Sequence, residues 1–296
     1  MRKVLVLGGR GMLGQMIYRV LSRSKLLTVE KTARERGMDS LYFDVEEGTD
    51  SLLRILEDQG PFDYLINCIG VLQGDVEEWD SKSVRRAIIV NALFPHDLAT
   101  AAQEAGARVI HVSTDGVFSR HAGVCLEDTP MDCDDIYGKT KSLGEVITTD
   151  FLVLRCSMVG PDPLKRRGLL EWFLSQPSNS EIAGFTDHQW NGVTTMQLAE
   201  LCHALILEGY FEKVRREGPI HHFCPNQTVS KYELLQLFKC AFRRQMVIRP
   251  VAGQAAPVHR VLDTRYQALR ELSGYGLPVQ DAVQQLACEI PGAGCS

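Results

Sequence analysis

The stretch VLVLGGRGMLG, residues 4–14, decides the fold. Its glycines satisfy GxxGxxG spacing from residue 8 and GxGxxG spacing from residue 9, so the subclass of the motif stays open. Glycines so placed let the chain turn sharply after a strand, admit a pyrophosphate to the backbone N–H groups and pack the next helix on the sheet. A purely structural turn is the alternative, but the apolar run before it and the helical pattern after it favour a dinucleotide site. The candidate cofactor contacts here are Gly8, Gly11, Met12, Leu13 and Gly14.

Alternation of short apolar runs with amphipathic segments fills the first half of the chain, and this predicts βα units around a parallel sheet. We predict strands in KVLVLGG, LLTVEKTA, FDYLINCIG, ARVIHVSTDGVF and FLVLRCS. We predict helices in MLGQMIYRVLSR, TDSLLRILEDQG, VRRAIIVNALFPHDLATAAQEAG and YGKTKSLGEVITT. The fold class is therefore α/β, with a Rossmann-type doubly wound parallel sheet over residues 1–157 as the dinucleotide-binding domain.

The pattern changes after residue 157, where helical segments follow one another with few strands between them. Helices are expected in LLEWFLSQ, TTMQLAELCHALILEG and SKYELLQLFKCAF, and the last begins with a capping box of Ser230 and Glu233. Residues 158–296 are thus predicted to form a smaller, mainly helical substrate lobe. The boundary is soft, because late segments of such folds often return to the first domain.

Composition argues for a soluble protein that binds neither a nucleic-acid polymer nor a membrane. The 296 residues are 45% hydrophobic and 23% charged, with a formal net charge of -5. Short basic runs are interpreted as solvated faces; they are Arg85-Arg86, Lys165-Arg166-Arg167, Arg215-Arg216 and Arg243-Arg244. Nine cysteines without a CxxC pair predict neither a disulfide framework nor a zinc site. With no secretory leader and no membrane-spanning apolar run, we expect a cytoplasmic protein.

The end of the second predicted strand bears on the choice between NAD and NADP. An acidic side chain there would hold a ribose hydroxyl, and an arginine would hold a 2′-phosphate. The segment TVEKTARER offers Glu30 for the first role, and Arg34 with Arg36 for the second. Because the guanidinium group of an arginine can bind a phosphate through two hydrogen bonds, we favour NADPH as the cofactor, with NADH as the alternative. Asp44 is a candidate adenine contact and could equally cap its loop.

Tyr137 and Lys141 lie one helical turn apart in DIYGKTKSLGE, so both side chains can share a face. A phenol is a poor acid at neutral pH, and a neighbouring ammonium would lower its pKa. The preceding strand ends at Ser113 and Thr114, where open α/β sheets bind ligands. This order of segments predicts a proton donor with its helper.

Seven motifs in the right order resemble the extended short-chain dehydrogenase/reductases, and within them the dTDP-4-dehydrorhamnose reductase family. They are GGRGMLG, LINCIG, VNALFPHDLA, VIHVSTDGVF, DIYGKTKSLGE, LRCSMVGP and WNGVTTMQLAEL. The resemblance implies hydride transfer from a reduced nicotinamide to the C4 carbonyl of a 4-keto-6-deoxy sugar nucleotide, in deoxysugar and cell-surface polysaccharide biosynthesis.

The resemblance also implies roles for individual residues. Thr114 would hold the carbonyl oxygen, Tyr137 would protonate it, and Lys141 would lower the tyrosine pKa and bind the nicotinamide ribose. Further cofactor contacts would be Asn67, Gly70, Asn91, Ser113, Tyr137 and Lys141. Further substrate contacts would be Thr114, Asp115, Met158, Trp190 and Asn191. Asn91 could instead bond locally in its helix, and Trp190 could be a packing residue.

One departure from the family pattern concerns the substrate side of the site. Gly116 stands where family members commonly have an aromatic ring, so the reaction type is better defined than the substrate. We assign no metal, because the acidic run 132–135 is interpreted as a solvated loop and the adjacent His221 and His222 would point to opposite faces of a strand. We allow for a homodimer.

Two other functions remain open from the residues. A different reductase or an epimerase acting on another sugar nucleotide would use the same Thr114, Tyr137 and Lys141. A non-catalytic NADP-binding regulatory subunit, like the beta subunit of methionine adenosyltransferase, also keeps the Tyr and Lys.

Overall fold

Strands occur throughout the chain in a computed structural model, which describes residues 1–37, 39–253, 257–272 and 275–290. They are β1 (Arg2–Leu7), β2 (Leu27–Ala33), β3 (Leu41–Tyr42), β4 (Tyr64–Asn67), β5 (Arg108–Thr114), β6 (Gly123–Cys125), β7 (Phe151–Cys156), β8 (Met158–Val159), β9 (Glu181–Phe185), β10 (Gln189–Trp190), β11 (Val193–Thr194), β12 (Ile220–His222), β13 (Val229–Ser230), β14 (Val247–Val251) and β15 (Arg260–Leu262). Seven of them form one parallel sheet in the order β12-β7-β5-β4-β1-β2-β3. The chain thus proceeds outward in both directions from β1.

Helices cover both faces of this sheet. They are α1 (Met12–Leu21), α2 (Asp50–Gln59), α3 (Ser81–Ala87), α4 (Phe94–Ala105), α5 (Ile136–Leu143), α6 (Leu169–Ser175), α7 (Thr195–Leu207), α8 (Tyr210–Glu217), α9 (Lys231–Ala241) and α10 (Val279–Cys288). Single 3₁₀ turns occupy Val45–Glu47, Gln73–Asp75 and Asp115–Val117, and a π-helical stretch occupies Ile88–Leu93.

Alternation along the buried strands separates the core into two layers. Val4 and Val6 pack with side chains of α1 and α7 on one face, whereas Leu5 and Leu7 pack with side chains of α2 and α4 on the other. Each central strand is apolar on both sides, as a doubly covered parallel sheet requires. The predicted doubly wound α/β fold is confirmed.

Two helix predictions need correction at their ends or interiors. The helix predicted to run through residue 149 ends at Leu143, where the backbone of Gly144 leaves the helical conformation with a φ of -86° and a ψ of 3°. A Cβ at Gly144 would collide with the Asn91 carbonyl, so the close approach needs glycine. The single helix predicted over residues 84–106 is instead α3, the π-helical stretch and α4 in succession. The sequence pattern did not show the π-helical stretch, because its backbone hydrogen bonds span only one residue more than those of an α-helix and the apolar residues recur at nearly the same spacing.

The residues after 157 contain more strands than predicted, paired two by two as β8-β11, β9-β14 and β10-β13, and β15 pairs with the earlier strand β6. The predicted capping box of Ser230 and Glu233 is present at the start of α9. Strand β12 joins the large sheet beside β7, and α7 packs on α1. Part of the later chain therefore completes the first domain, and the division at residue 157 stays a prediction. Among the described residues, no helix has the length and apolar character needed to cross a bilayer.

Candidate active site

A cavity of about 280 Å³ opens at the carboxyl end of β1, between the loops that follow β1, β2, β4 and β5. This is the point at which strand order reverses, where doubly wound sheets bind ligands. Eleven predicted site residues line it: Gly8, Gly11, Met12, Leu13, Arg34, Asp44, Gly70, Ser113, Tyr137, Lys141 and Met158. Motifs far apart in the chain thus meet at one place.

The glycine turn has the geometry of an anion site. Gly8 has a φ of 76°, which favours glycine, and its N–H donates to Thr32 Oγ1 at 3.1 Å. Gly14 does not line the cavity, but a Cβ there would collide with the Gly8 carbonyl, so the close approach of helix and turn needs it. Helix α1 has no acidic residue in its first turn and no side-chain cap, which leaves its first N–H groups open to a phosphate.

Four cationic side chains line the same cavity on the side of β2: Arg10, Arg34, Arg86 and Lys165. Glu46 lies between two of them, 2.7 Å from Arg86 Nε and 3.8 Å from Arg34 Nη1. Burial lowers the pKa of Lys165, and the charges of Arg34 and Arg86 lower it further, so the cations lie within electrostatic range of one another. Clustered cations that repel each other favour a bound anion.

Sequence analysis missed three of these cations. Arg10 lies inside the glycine motif and could have been noticed there. Arg86 and Lys165 belong to basic runs interpreted as solvated, and both side chains are partly exposed, but they also line the cavity, which that interpretation did not foresee. Their proximity arises from tertiary packing of α3 and the segment after β8, which no local pattern reveals.

The other charged residues predicted to contact the cofactor near β2 differ in whether they line the cavity. Glu30 does not line the cavity, whereas Glu35 does and accepts from Arg10 Nη1 at 2.8 Å. Arg36 lies over the ring of Tyr42, 4.5 Å from its centre, and is also absent from the lining. Asp44 caps its loop, as one of the two alternatives predicted, by accepting the N–H of Glu46 at 3.0 Å; it also lines the cavity, and its contact with the adenine stays a prediction.

Two buried asparagines support the cavity wall without lining it. Asn67 accepts the Ile69 N–H at 3.0 Å. Asn91 accepts the Val71 N–H at 2.8 Å and donates to the Val71 carbonyl at 3.0 Å. The loop after β4 is therefore fixed by side-chain amides, and Asn91 lies in the π-helical stretch that points its amide there. Direct cofactor contact by Asn67 and Asn91 is not supported by the geometry; a positioning role is.

The proposed proton donor and its helper both line the cavity. Burial raises the pKa of Tyr137 to about 12, whereas a hydrogen bond to Thr114 acts in the opposite direction. Burial lowers the pKa of Lys141 to about 8, and Lys141 Nζ donates to the Val112 carbonyl at 2.9 Å. Tyr137 is therefore protonated at neutral pH, as a proton donor must be. The lowering of its pKa by Lys141 stays a prediction, because the ammonium is turned to the backbone here.

Four predicted substrate contacts lie outside this cavity. Thr114 accepts the Gly116 N–H at 3.0 Å beside Tyr137, and Asp115 pairs with Arg260 Nε at 2.9 Å. Trp190 is buried and donates to Ser157 Oγ at 3.0 Å, which supports the packing alternative. Asn191 holds the backbone of Leu262 with both atoms of its amide, at 2.6 and 3.3 Å. Thr114 and Asp115 border the site at the start of the turn Asp115–Val117, which we call the catalytic turn because it lies beside Tyr137. Trp190 and Asn191 lie in the second lobe and contact other residues of it.

Gly116 lies directly against Tyr137, the predicted proton donor. A Cβ there would be 3.0 Å from Tyr137 Cε1 and 3.2 Å from Thr114 Oγ1. We expect Gly116→Ala to displace the phenol and lower kcat about tenfold, because even a misplacement of about 1 Å slows a reaction strongly. The Kd of NADPH should change less than about twofold, because binding depends less on the exact position of this one hydroxyl. Steady-state kinetics with coenzyme titration would check this, and unchanged kcat would contradict the contact. Gly74→Ala serves as the control for glycine loss alone, because a Cβ there has open space and the backbone is not in the left-handed region.

Within the described residues, no group of three or more His, Cys, Asp or Glu side chains is arranged to hold a metal ion. His221 and His222 have separate partners: His221 Nε2 lies 3.1 Å from the Gly218 carbonyl, and His222 Nδ1 lies 2.8 Å from that of Asp263.

The family model for the RmlD substrate binding domain matches residues 1–264. The chain belongs to this family. The dTDP-4-dehydrorhamnose reductase of Mycolicibacterium smegmatis is 42% identical over 89 residues, which are 28% of this chain and 25% of that protein. The spore coat polysaccharide biosynthesis protein SpsK of Bacillus subtilis is 29% identical over 164 residues, 54% of each chain.

These matches span about a quarter and about half the length of the two curated relatives. Among solved structures, the dTDP-4-dehydrorhamnose reductase of Bacillus anthracis in complex with NADP is similar with a TM-score of 0.76 and 18% identity, covering 98% of this chain and 99% of that one. At that identity the likeness shows that this chain and the Bacillus anthracis protein share one fold.

Proposed function

We propose that this protein is an NADPH-dependent oxidoreductase that reduces the C4 carbonyl of a 4-keto-6-deoxy sugar nucleotide, as in dTDP-rhamnose biosynthesis. The observation that supports this most is the meeting of three parts in one cavity. These are an anion-binding glycine turn, a group of cations, and the pair Tyr137 and Lys141. A merely structural glycine turn would not need the last two.

The residues present fit a phosphorylated dinucleotide. The open N-terminus of α1 would hold the pyrophosphate, and Arg34 with Arg86 would hold a 2′-phosphate. When bound, the reduced nicotinamide would supply the hydride. The wall formed by Gly70 and Ser113 would exclude water beside it.

The chain's own part in the reaction is to move one proton. Tyr137 would give its phenolic proton to the carbonyl oxygen, which becomes the new hydroxyl group. The phenolate left behind is costly in this buried place, and the positive charge of Lys141 would offset that cost. Thr114, hydrogen-bonded to Tyr137, would hold the same oxygen from the other side.

Charge on the second-lobe side supports an anionic substrate. Burial lowers the pKa of Lys231; Asp115 opposes this, and Arg260 and Arg120 add to it. Three cations therefore lie around one carboxylate beside the catalytic turn. A sugar joined to a nucleoside diphosphate carries the complementary charge.

The test is the loss of NADPH absorbance when purified protein meets a panel of 4-keto-6-deoxy sugar nucleotides, the dTDP-linked one first. Oxidation that depends on the sugar is expected. Tight NADPH binding without oxidation by any of them would contradict the proposal and favour a regulatory NADP-binding subunit, for which protein partners would then be sought.

A cytoplasmic location and a homodimer are further parts of the proposal. Free thiols such as those of Cys68, Cys133 and Cys240 are typical of a reducing compartment, whereas Cys288 is disulfide-bonded. Leu143 and Ile147 beside α5 are exposed apolar side chains that a second copy could cover. If sedimentation equilibrium at micromolar protein concentration gives the mass of a monomer, the proposed homodimer is contradicted.

A further inference from the structure

A buried ion pair lies behind the catalytic helix and has no part in the mechanism above. Glu145 follows α5, and Arg155 lies on β7. Their side chains are each 2% exposed, with Arg155 Nη2 2.6 Å from Glu145 Oε2 and Nε 2.9 Å from Oε1. Removing two charges from water is costly, and a well-packed apolar pair often stabilises a fold equally well. Stability alone is therefore a weak reason for this pair.

Glu145 reaches the cavity through a second contact. Ser113 Oγ donates to Glu145 Oε1 at 2.6 Å, and Ser113 lines the cavity. The carboxylate thus fixes a hydroxyl at the wall. A buried bond of this length to a charged acceptor holds a side chain in one rotamer.

Glu145 also lies four residues after Lys141. Burial is the largest influence on the pKa of Lys141 and lowers it; the Glu145 carboxylate is next and raises it. Without that carboxylate, burial would act almost unopposed. The pKa of Lys141 would then fall, so the ammonium that the reaction requires would lose its proton at a lower pH than in the unaltered protein.

The other groups that face Lys141 carry no charge to replace it. His111 on β5 has its pKa held well below the usual range by burial and by Lys141 itself, so it is neutral. Cys156 on β7 has its thiol pKa raised by burial, so it is neutral as well. Tyr137 on the same helix is protonated, and the Val112 carbonyl only accepts a hydrogen bond.

We propose that Glu145 is a positioning residue of the active site, which keeps Lys141 charged and fixes Ser113 at the cavity wall while Arg155 holds Glu145 in place. Arg155 is itself anchored, since Nη1 lies 3.2 Å from His222 Nε2 and 3.3 Å from the Glu127 carbonyl. The inference rests on the proposed function only in giving Lys141 its role in turnover.

The test compares Glu145→Gln with Ser113→Ala in the holoenzyme. Glutamine keeps an acceptor for Ser113 but removes the charge. We expect the alkaline limb of kcat/KM, near pH 8 in the unaltered protein, to move about one pH unit lower, the lower end of the effect of a neighbouring opposite charge. Ser113→Ala should lower activity at every pH and leave the limb in place, because the carboxylate remains.

Two additions keep the outcome decisive. If Glu145→Gln fails to fold because Arg155 is left unpaired, Glu145→Gln/Arg155→Met removes both charges and should fold with the same shift of the limb. The second readout is NMR titration of ¹³Cε-labelled lysine, with Lys141 assigned through Lys141→Arg. This readout needs no substrate, so it decides about Glu145 even if the panel of sugars fails. An unchanged Lys141 midpoint in both charge-removing variants would overturn the proposal.

Discussion

Tyr137→Phe is expected to lower kcat by about 10²–10⁴-fold, the range that placed acid catalysis contributes. The ring stays and only the hydroxyl is lost, so the cavity wall is preserved and the Kd of NADPH should change less than about twofold. The expectation depends on the phenol being protonated at neutral pH, and burial raises its pKa to about 12. Stopped-flow oxidation of NADPH with saturating sugar nucleotide measures the chemical step directly.

The control for this variant is Tyr210→Phe, which removes a phenolic hydroxyl on α8, outside the cavity lining. It should leave kcat unchanged. Turnover of Tyr137→Phe equal to that of the control would mean that another group supplies the proton, and the assignment of Tyr137 would be withdrawn.

The second large effect concerns the choice of coenzyme. Arg34→Gln/Arg86→Gln should raise the Kd of NADPH by about 10²–10⁴-fold, since the double variant removes two hydrogen bonds to a charged group, each worth about 1.5–3 kcal/mol, and 1.4 kcal/mol is tenfold. NADH lacks the 2′-phosphate, so its Kd should change little. Glu46, which both arginines face, would remain and repel a phosphate further.

Calorimetric titration of both coenzymes at one salt concentration checks this. The matched control is Arg54→Ala, an exposed arginine on α2 outside the cavity. Equal loss of affinity for NADPH and NADH would show that the arginines support the wall and not the 2′-phosphate. Tighter binding of NADH by the unaltered protein would contradict the proposed NADPH preference.

Local sequence patterns predicted the parts of the site that depend on local geometry. The glycine turn, the strand that ends at Ser113 and the turn of helix joining Tyr137 to Lys141 each need only neighbours in the chain. The structure brings all three to one cavity. The parallel sheet was predictable for the same reason, because a doubly buried strand is apolar along its whole length.

Features that depend on packing between distant segments could not be predicted. Lys165 reaches the cofactor cavity from a loop after β8, and nothing in its own run of basic residues distinguishes it from a solvated lysine. Helix α5 ends at Leu143 and Gly144 lies against the Asn91 carbonyl, whereas the helical pattern of the sequence continues beyond this point. Asn191 was placed at the substrate by resemblance, yet its amide holds Leu262.

The most direct test of the central claim follows the hydride itself. NADPH carrying deuterium at the transferable C4 position of its nicotinamide would be incubated with the dTDP-linked 4-keto-6-deoxy sugar, and the product analysed by NMR and mass spectrometry. The account predicts one deuterium at C4 of the sugar for each NADPH oxidised, and none with Tyr137→Phe on the same time scale. An altered sugar without deuterium and without net NADPH oxidation would show an epimerase and contradict it.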